Sequence, residues 1–153
     1  MTENIQFTPN FTLHELLLTQ HRRFDQEQYN PPQQIIDNLR ALCVNILQPL
    51  RDALGSPLKI NSGYRCPSLN RSINGASGSQ HMTGQAADIV DLTHGNEFLF
   101  KKIKELNLPF DQMIDEFGFR WVHISYDPKR NRKDILQAVK DVKGKTVYIR
   151  PNI

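Results

Sequence analysis

The chain lacks any long apolar run. Across its 153 residues the apolar stretches break every few positions, and none nears the roughly 20 residues a spanning helix needs. No membrane partner is expected. The opening Met1-Thr-Glu-Asn-Ile-Gln-Phe lacks the basic start and apolar core of a signal peptide, so the expected location is the cytoplasm as synthesised. Cysteine is scarce. Cys43 and Cys66 are the only two, too few for a disulfide framework and outside any metal or nucleophile motif. Both are expected as free thiols, with Cys43 in the core. Internal repeats and low-complexity segments are absent. Charge of one sign is not in large excess, at a net +3. The basic run Lys129, Arg130, Arg132 and Lys133 has no interleaved aromatics and no nucleic-acid motif. It reads as a solvated loop, and no nucleic-acid partner is expected.

What is present fits one globular unit. A hydrophobic fraction of 39% with 23% charged residues supports a single core rather than disorder. The length suits one domain over residues 1–153, expected as a monomer.

Phe11 to Leu18 reads as a short helix with Thr12 as N-cap and Glu15 three residues on. His21 to Asn30 is polar and reads as a loop. Pro31-Pro32 then opens a long helix. Its apolar residues Ile35, Ile36, Leu39, Leu42, Cys43, Ile46, Leu47, Leu50 and Leu54 mark one buried face. Pro49 should kink or divide it, and Gly55 should end it. Leu58 to Asn61 looks like a strand.

The stretch 61–84 is dense in Gly, Ser, Asn and Pro, and a loop of that length in a compact domain is commonly functional. Ala86 to Val90 reads as a strand and Glu97 to Leu106 as a helix. Gln112 to Ile114 and Trp121 to Ser125 read as strands, joined through Asp115 to Arg120 with Gly118 supporting a turn. Ile135 to Val139 is ambiguous between helix and strand, and Thr146 to Ile149 is a closing strand. Helices and strands do not alternate regularly, so the expected class is α+β with a mainly antiparallel sheet.

The chemistry concentrates in Ser62-Gly-Tyr-Arg-Cys-Pro, in Ser79-Gln-His-Met-Thr-Gly-Gln-Ala-Ala-Asp-Ile, and in Trp121-Val-His-Ile-Ser. His81 and Asp88 lie seven apart with Gly84 between them to turn the chain. Asp88 and His123 each sit in an apolar strand, where an unpaired polar group is costly. Two imidazoles and one carboxylate are a common three-ligand zinc set with an open fourth position.

These residues, in this order, resemble the zinc D-alanyl-D-alanine carboxypeptidases and related phage cell-wall peptidases. The signature Ser-x-His, then Asp, then a Trp-x-His strand is met by Ser79, His81, Asp88, Trp121 and His123. The likeness extends to Phe11-Thr-Leu-x-Glu-Leu, Leu50-Arg51, Ser62-Gly-Tyr-Arg65 and Leu69-Asn70, and runs to about Tyr126. It implies an α+β fold shared with Hedgehog signalling domains and a zinc ion on His81, Asp88 and His123. It implies a substrate-binding Arg65, able to hold a carbonyl or carboxylate, with Ser79 and Tyr64 lining the pocket. The alternative for Arg65 is a structural salt bridge.

Several branches of the family carry an acid three positions before the last histidine ligand, where this chain has Arg120. The general base is then Glu116 or Asp115, and a Gln-x-Ile-x-Glu stretch shared with phage-type members favours Glu116. The implied activity is hydrolysis of peptidoglycan stem peptides, at a D-Ala-D-Ala terminus or an internal L-Ala-D-Glu bond, acting on the wall after release. A second reading keeps the zinc but is a weakly catalytic module that binds wall peptide or a protein partner.

Overall fold

The computed structural model describes residues 1–151; the one-domain reading extends two residues beyond them. Strands β1 (Gln6–Thr8) and β2 (Phe11–Thr12) form a small antiparallel ribbon ahead of helix α1 (Leu13–Leu17). Thr12 caps that helix as its spacing predicts, its Oγ1 accepting the Glu15 N–H at 3.3 Å. The polar stretch after it is not all loop. It holds a 3-10 turn and helix α2 (Asp25–Gln28). Gln28 explains why: its buried amide donates to the Leu17 and Tyr64 carbonyls at 2.7 Å each and accepts the Cys66 N–H at 2.9 Å. Three backbone groups that would be orphaned on burial are thereby satisfied.

The long helix begins as α3 (Gln33–Leu42), widens to a π-helical stretch over Cys43–Leu47, and continues as α4 (Gln48–Leu54). Pro49 accounts for the widening. It has no N–H to return to Asn45, so the ladder shifts to a longer step, and Gln48 N–H bonds Cys43 O. Gly55 closes the helix in the left-handed region at φ 66°. Leu39, Leu42, Ile46, Leu47 and Leu50 are buried on its inner face, each side chain worth about 1.5–3 kcal/mol of transfer energy. Both cysteines are buried free thiols.

The main sheet has six strands in the order β3-β4-β6-β5-β7-β8. They are β3 (Lys59–Ser62), β4 (Ala86–Val90), β5 (Gln112–Glu116), β6 (Trp121–Ser125), β7 (Asp134–Lys140) and β8 (Thr146–Ile149). All neighbours are antiparallel except β5 and β7. The ambiguous 135–139 segment is thus a strand, added in parallel beside β5. Residues 61–84 are not one loop either, since α5 (Pro67–Ser72) interrupts them. Helix α6 (Asn96–Glu105) follows β4. No helix among the described residues is long and apolar enough to cross a membrane.

Alternation along the strands decides what each face does. Ala87, Ile89, Met113, Val122 and Ile124 join the helices in one core. The intervening residues Asp88, Ile114, Glu116, Trp121 and His123 line a cleft on the other face.

Candidate metal centre

Three central strands carry the site by register. Asp88 on β4 pairs with His123 on β6, and His123 pairs in turn with Ile114 on β5. His81 arrives from the loop before β4. Its Nδ1 lies 2.7 Å from the Gly63 carbonyl, which can only accept. Nδ1 therefore carries the hydrogen, and the Nε2 lone pair is free for a metal. Glycine at 63 lets this segment pack against the end of α1: a Cβ there would stand 2.3 Å from the Leu16 carbonyl oxygen.

The donor atoms converge on Asp88. Its Oδ1 is 3.2 Å from His81 Nε2 and 3.3 Å from His123 Nδ1, and one ligand atom from each of the three residues lies within 4.8 Å of the others. Tetrahedral zinc with bonds of about 2.0–2.2 Å needs ligand atoms about 3.3–3.5 Å apart. Two of the three separations match that spacing and the third lies within 4.8 Å, so the donor set suits that ion. All three residues are buried. Burial alone would raise the Asp88 carboxyl, but the two imidazoles, through charge and hydrogen bonds, hold it well below the usual carboxylate range. His123 Nε2 is buried without a protein hydrogen-bond partner, while Nδ1 is the nitrogen turned toward Asp88. His14, His21 and His94 do not join the group.

Around the triad, Arg65 donates from Nη2 to Asp88 Oδ2 at 3.1 Å and from Nε to Ser62 Oγ at 3.1 Å. Its salt bridge and its place in the cleft wall are thus both real features. By holding Oδ2, it aims Oδ1 at the histidines. Arg65→Ala is expected to weaken metal binding by about 10–100-fold, measured by competition with a chromophoric chelator.

Ser79 also lines the cleft, and its Oγ accepts the His81 N–H at 3.2 Å. Tyr64 does not reach it. Its ring is buried and lines a neighbouring depression with Thr19 and His21, and burial pushes its phenol up to about 12.

The two candidate bases point in opposite directions. Asp115 faces the helix side, where its Oδ1 accepts the Phe119 N–H at 2.6 Å and pins a turn with positive φ at Phe117, Gly118 and Phe119. Glu116 lines the cleft. Burial pushes its carboxyl up to about 7, with His123 pulling it down and the Asp88 charge pushing it up. Arg120 is exposed and outside the cleft. The basic run is not wholly solvated, because Arg130 and Arg132 wall the cleft, together with Gln112, Leu136 and Tyr148. Apart from Gln112, which belongs to the Gln-x-Ile-x-Glu stretch, no local spacing announced these residues. They come together only because β7 and β8 extend the sheet.

The family model for peptidase M15 matches residues 9–125. The chain belongs to the peptidase M15 family. It is also similar, at 46% identity over 44 residues, to a zinc D-Ala-D-Ala carboxypeptidase of Streptomyces albus G. That match covers 28% of this chain and 17% of the relative. The M15 match stops at the end of β6, before the loop that carries Arg130 and Arg132.

Proposed function

We propose that this M15 chain is a zinc metallopeptidase that hydrolyses peptidoglycan stem peptides. The observation that carries the reading is one cleft, about 480 Å³ in volume, walled by a convergent His81–Asp88–His123 donor set and by Glu116. A zinc ion bound there supplies Lewis acidity and makes water a stronger acid.

The residues of the chain do the rest. Glu116, ionised, accepts the proton of the attacking water and returns it to the leaving amine. Arg65 keeps Asp88 oriented and offers positive charge to the substrate carbonyl as it becomes an oxyanion. The fold reading that accompanies this activity is the Hedgehog and DD-peptidase arrangement. The enzyme would work as a monomer, made in the cytoplasm and meeting the wall after release.

The reading of a weakly catalytic module rested on Arg120 replacing an acid. Glu116 in the cleft wall supplies a carboxylate from the adjacent strand, which favours the enzyme. The test uses zinc-loaded protein and defined stem peptides, one ending in D-Ala-D-Ala and one containing L-Ala-D-Glu. Metal-stripped protein serves as control, with products identified by mass spectrometry. Cleavage only by the loaded protein supports the reading, and the product masses name the bond. Intact peptides after prolonged incubation would replace it with the binding module.

A further inference from the structure

We propose that Arg130 and Arg132 form an anion subsite on the wall of the metal cleft, which takes a carboxylate of the bound peptide. The inference deepens the peptidase reading by naming a substrate feature.

The loop before β7 is tied down by backbone bonds. Arg130 N–H donates to Asp127 O at 3.0 Å, and Lys133 N–H to Phe110 O at 3.1 Å. At its base lies the fully buried carboxylate of Asp111. Asp111 Oδ1 accepts from Arg132 N at 3.2 Å and Arg132 Nε at 2.8 Å. Its Oδ2 accepts from Arg132 Nη2 at 3.1 Å and Gln80 Nε2 at 2.9 Å.

A carboxylate has about four acceptor sites, and these bonds occupy them. Arg132 therefore already neutralises Asp111, and together with Gln80 saturates it. Arg130 is surplus. Its Nη2 is 3.6 Å from Asp111 Oδ2, beyond hydrogen-bond distance, and 56% of its side chain is exposed. Neither of the other acids nearby pairs with Arg130. Asp134 is held by Arg150 and Gln112, and Asp127 Oδ1 accepts the Lys129 N–H.

Two guanidinium groups thus share one acid at the cleft wall, and Arg130, within hydrogen-bond distance of neither of its oxygens, keeps its donors free. A planar fork of that kind suits a carboxylate. The subsite is also held in register with the metal centre, because Gln80, bonded to Asp111, is the residue before His81. The carboxylate has two possible sources in a stem peptide: the C-terminal α-carboxylate, or the free carboxylate on a D-Glu residue within the chain.

The experiment compares zinc-loaded parent with Arg130→Gln. It uses two peptide pairs, one differing as acid or amide at the C-terminus and the other as acid or amide on D-Glu. Binding is read by calorimetry in the cold, and cleavage by mass spectrometry in the same samples. The parent is expected to bind the acid of one pair about tenfold tighter than its amide, and that pair names the source. In Arg130→Gln the preference falls to within about twofold while amide affinity holds, which also reports that the variant is folded.

Equal affinity for acid and amide in both pairs, a preference that survives in Arg130→Gln, or no binding of any peptide would overturn the subsite. An Arg130-dependent preference without cleavage would keep the subsite and remove the peptidase. Cleavage with no acid preference would do the reverse.

Discussion

His123→Ala is expected to lower zinc content from about one per chain to a small fraction, and to lower kcat/KM on any cleaved peptide by at least about a thousandfold. The size follows from geometry. His123 and His81 approach the same oxygen of Asp88 at 3.3 and 3.2 Å. Removing one leaves two donors, where catalytic zinc sites hold three protein ligands.

The structural consequence should be smaller. His123 lies on the cleft face of β6, while Val122 and Ile124 beside it belong to the core, and the β4–β6 ladder is made by backbone. The variant is expected to keep its circular dichroism spectrum. Metal content by atomic emission and turnover should therefore fall together, with the fold intact. Retention of a full zinc complement by His123→Ala would rule out the triad as the metal centre. In the parent, metal affinity should fall with pH, because protons compete for the same ligand atoms.

The legible and illegible parts of this molecule divide along physical lines. The triad could be read because buried strands seldom carry His and Asp without compensation, and because its residues come in a recognisable order. The long helix could be read from its apolar spacing, and Thr12 from its cap position.

Features fixed by distant partners could not. Gln28 looks like one more polar residue between His21 and Asn30, yet it satisfies backbone groups from two remote segments. Asp115 and Glu116 are adjacent acids on opposite faces of β5. Only the extension of β5 to Glu116, and so the parity of the strand, separates them. Tyr64 adjoins Arg65 in the chain, but its side chain falls on the far side of that segment and so leaves the cleft. Arg130 and Arg132 looked solvated because their buried counter-charge, Asp111, lies about twenty positions earlier in the sequence.

Glu116→Gln is expected to cut kcat by about 10²–10⁴-fold with zinc content unchanged, the range for removal of a general base. The same change should stabilise the metal-free protein above neutral pH. Burial places the folded-state carboxyl at about 7, against an ordinary value of 4.5. The folded protein therefore holds this proton more tightly than the unfolded chain. That advantage is complete below pH 4.5 and is lost as pH rises through about 7. At pH 8 the ionised side chain costs the metal-free fold on the order of 3 kcal/mol, which glutamine does not.

Metal-free Glu116→Gln should melt higher than metal-free parent at pH 8, with the gap closing near pH 4.5. A zinc ion held by His81, Asp88 and His123 would add positive charge to the cleft that Glu116 lines and favour its ionised form. In the loaded parent, the rising limb of kcat/KM with pH should then lie below 7, and Glu116→Gln should lose it. Unaltered kcat in Glu116→Gln would exclude the residue as base. A melting difference independent of pH would show that its carboxyl is not held protonated by the fold. The two measurements separate catalysis from burial because the first is made with metal and the second without, so a base that is also a strained carboxylate must satisfy both.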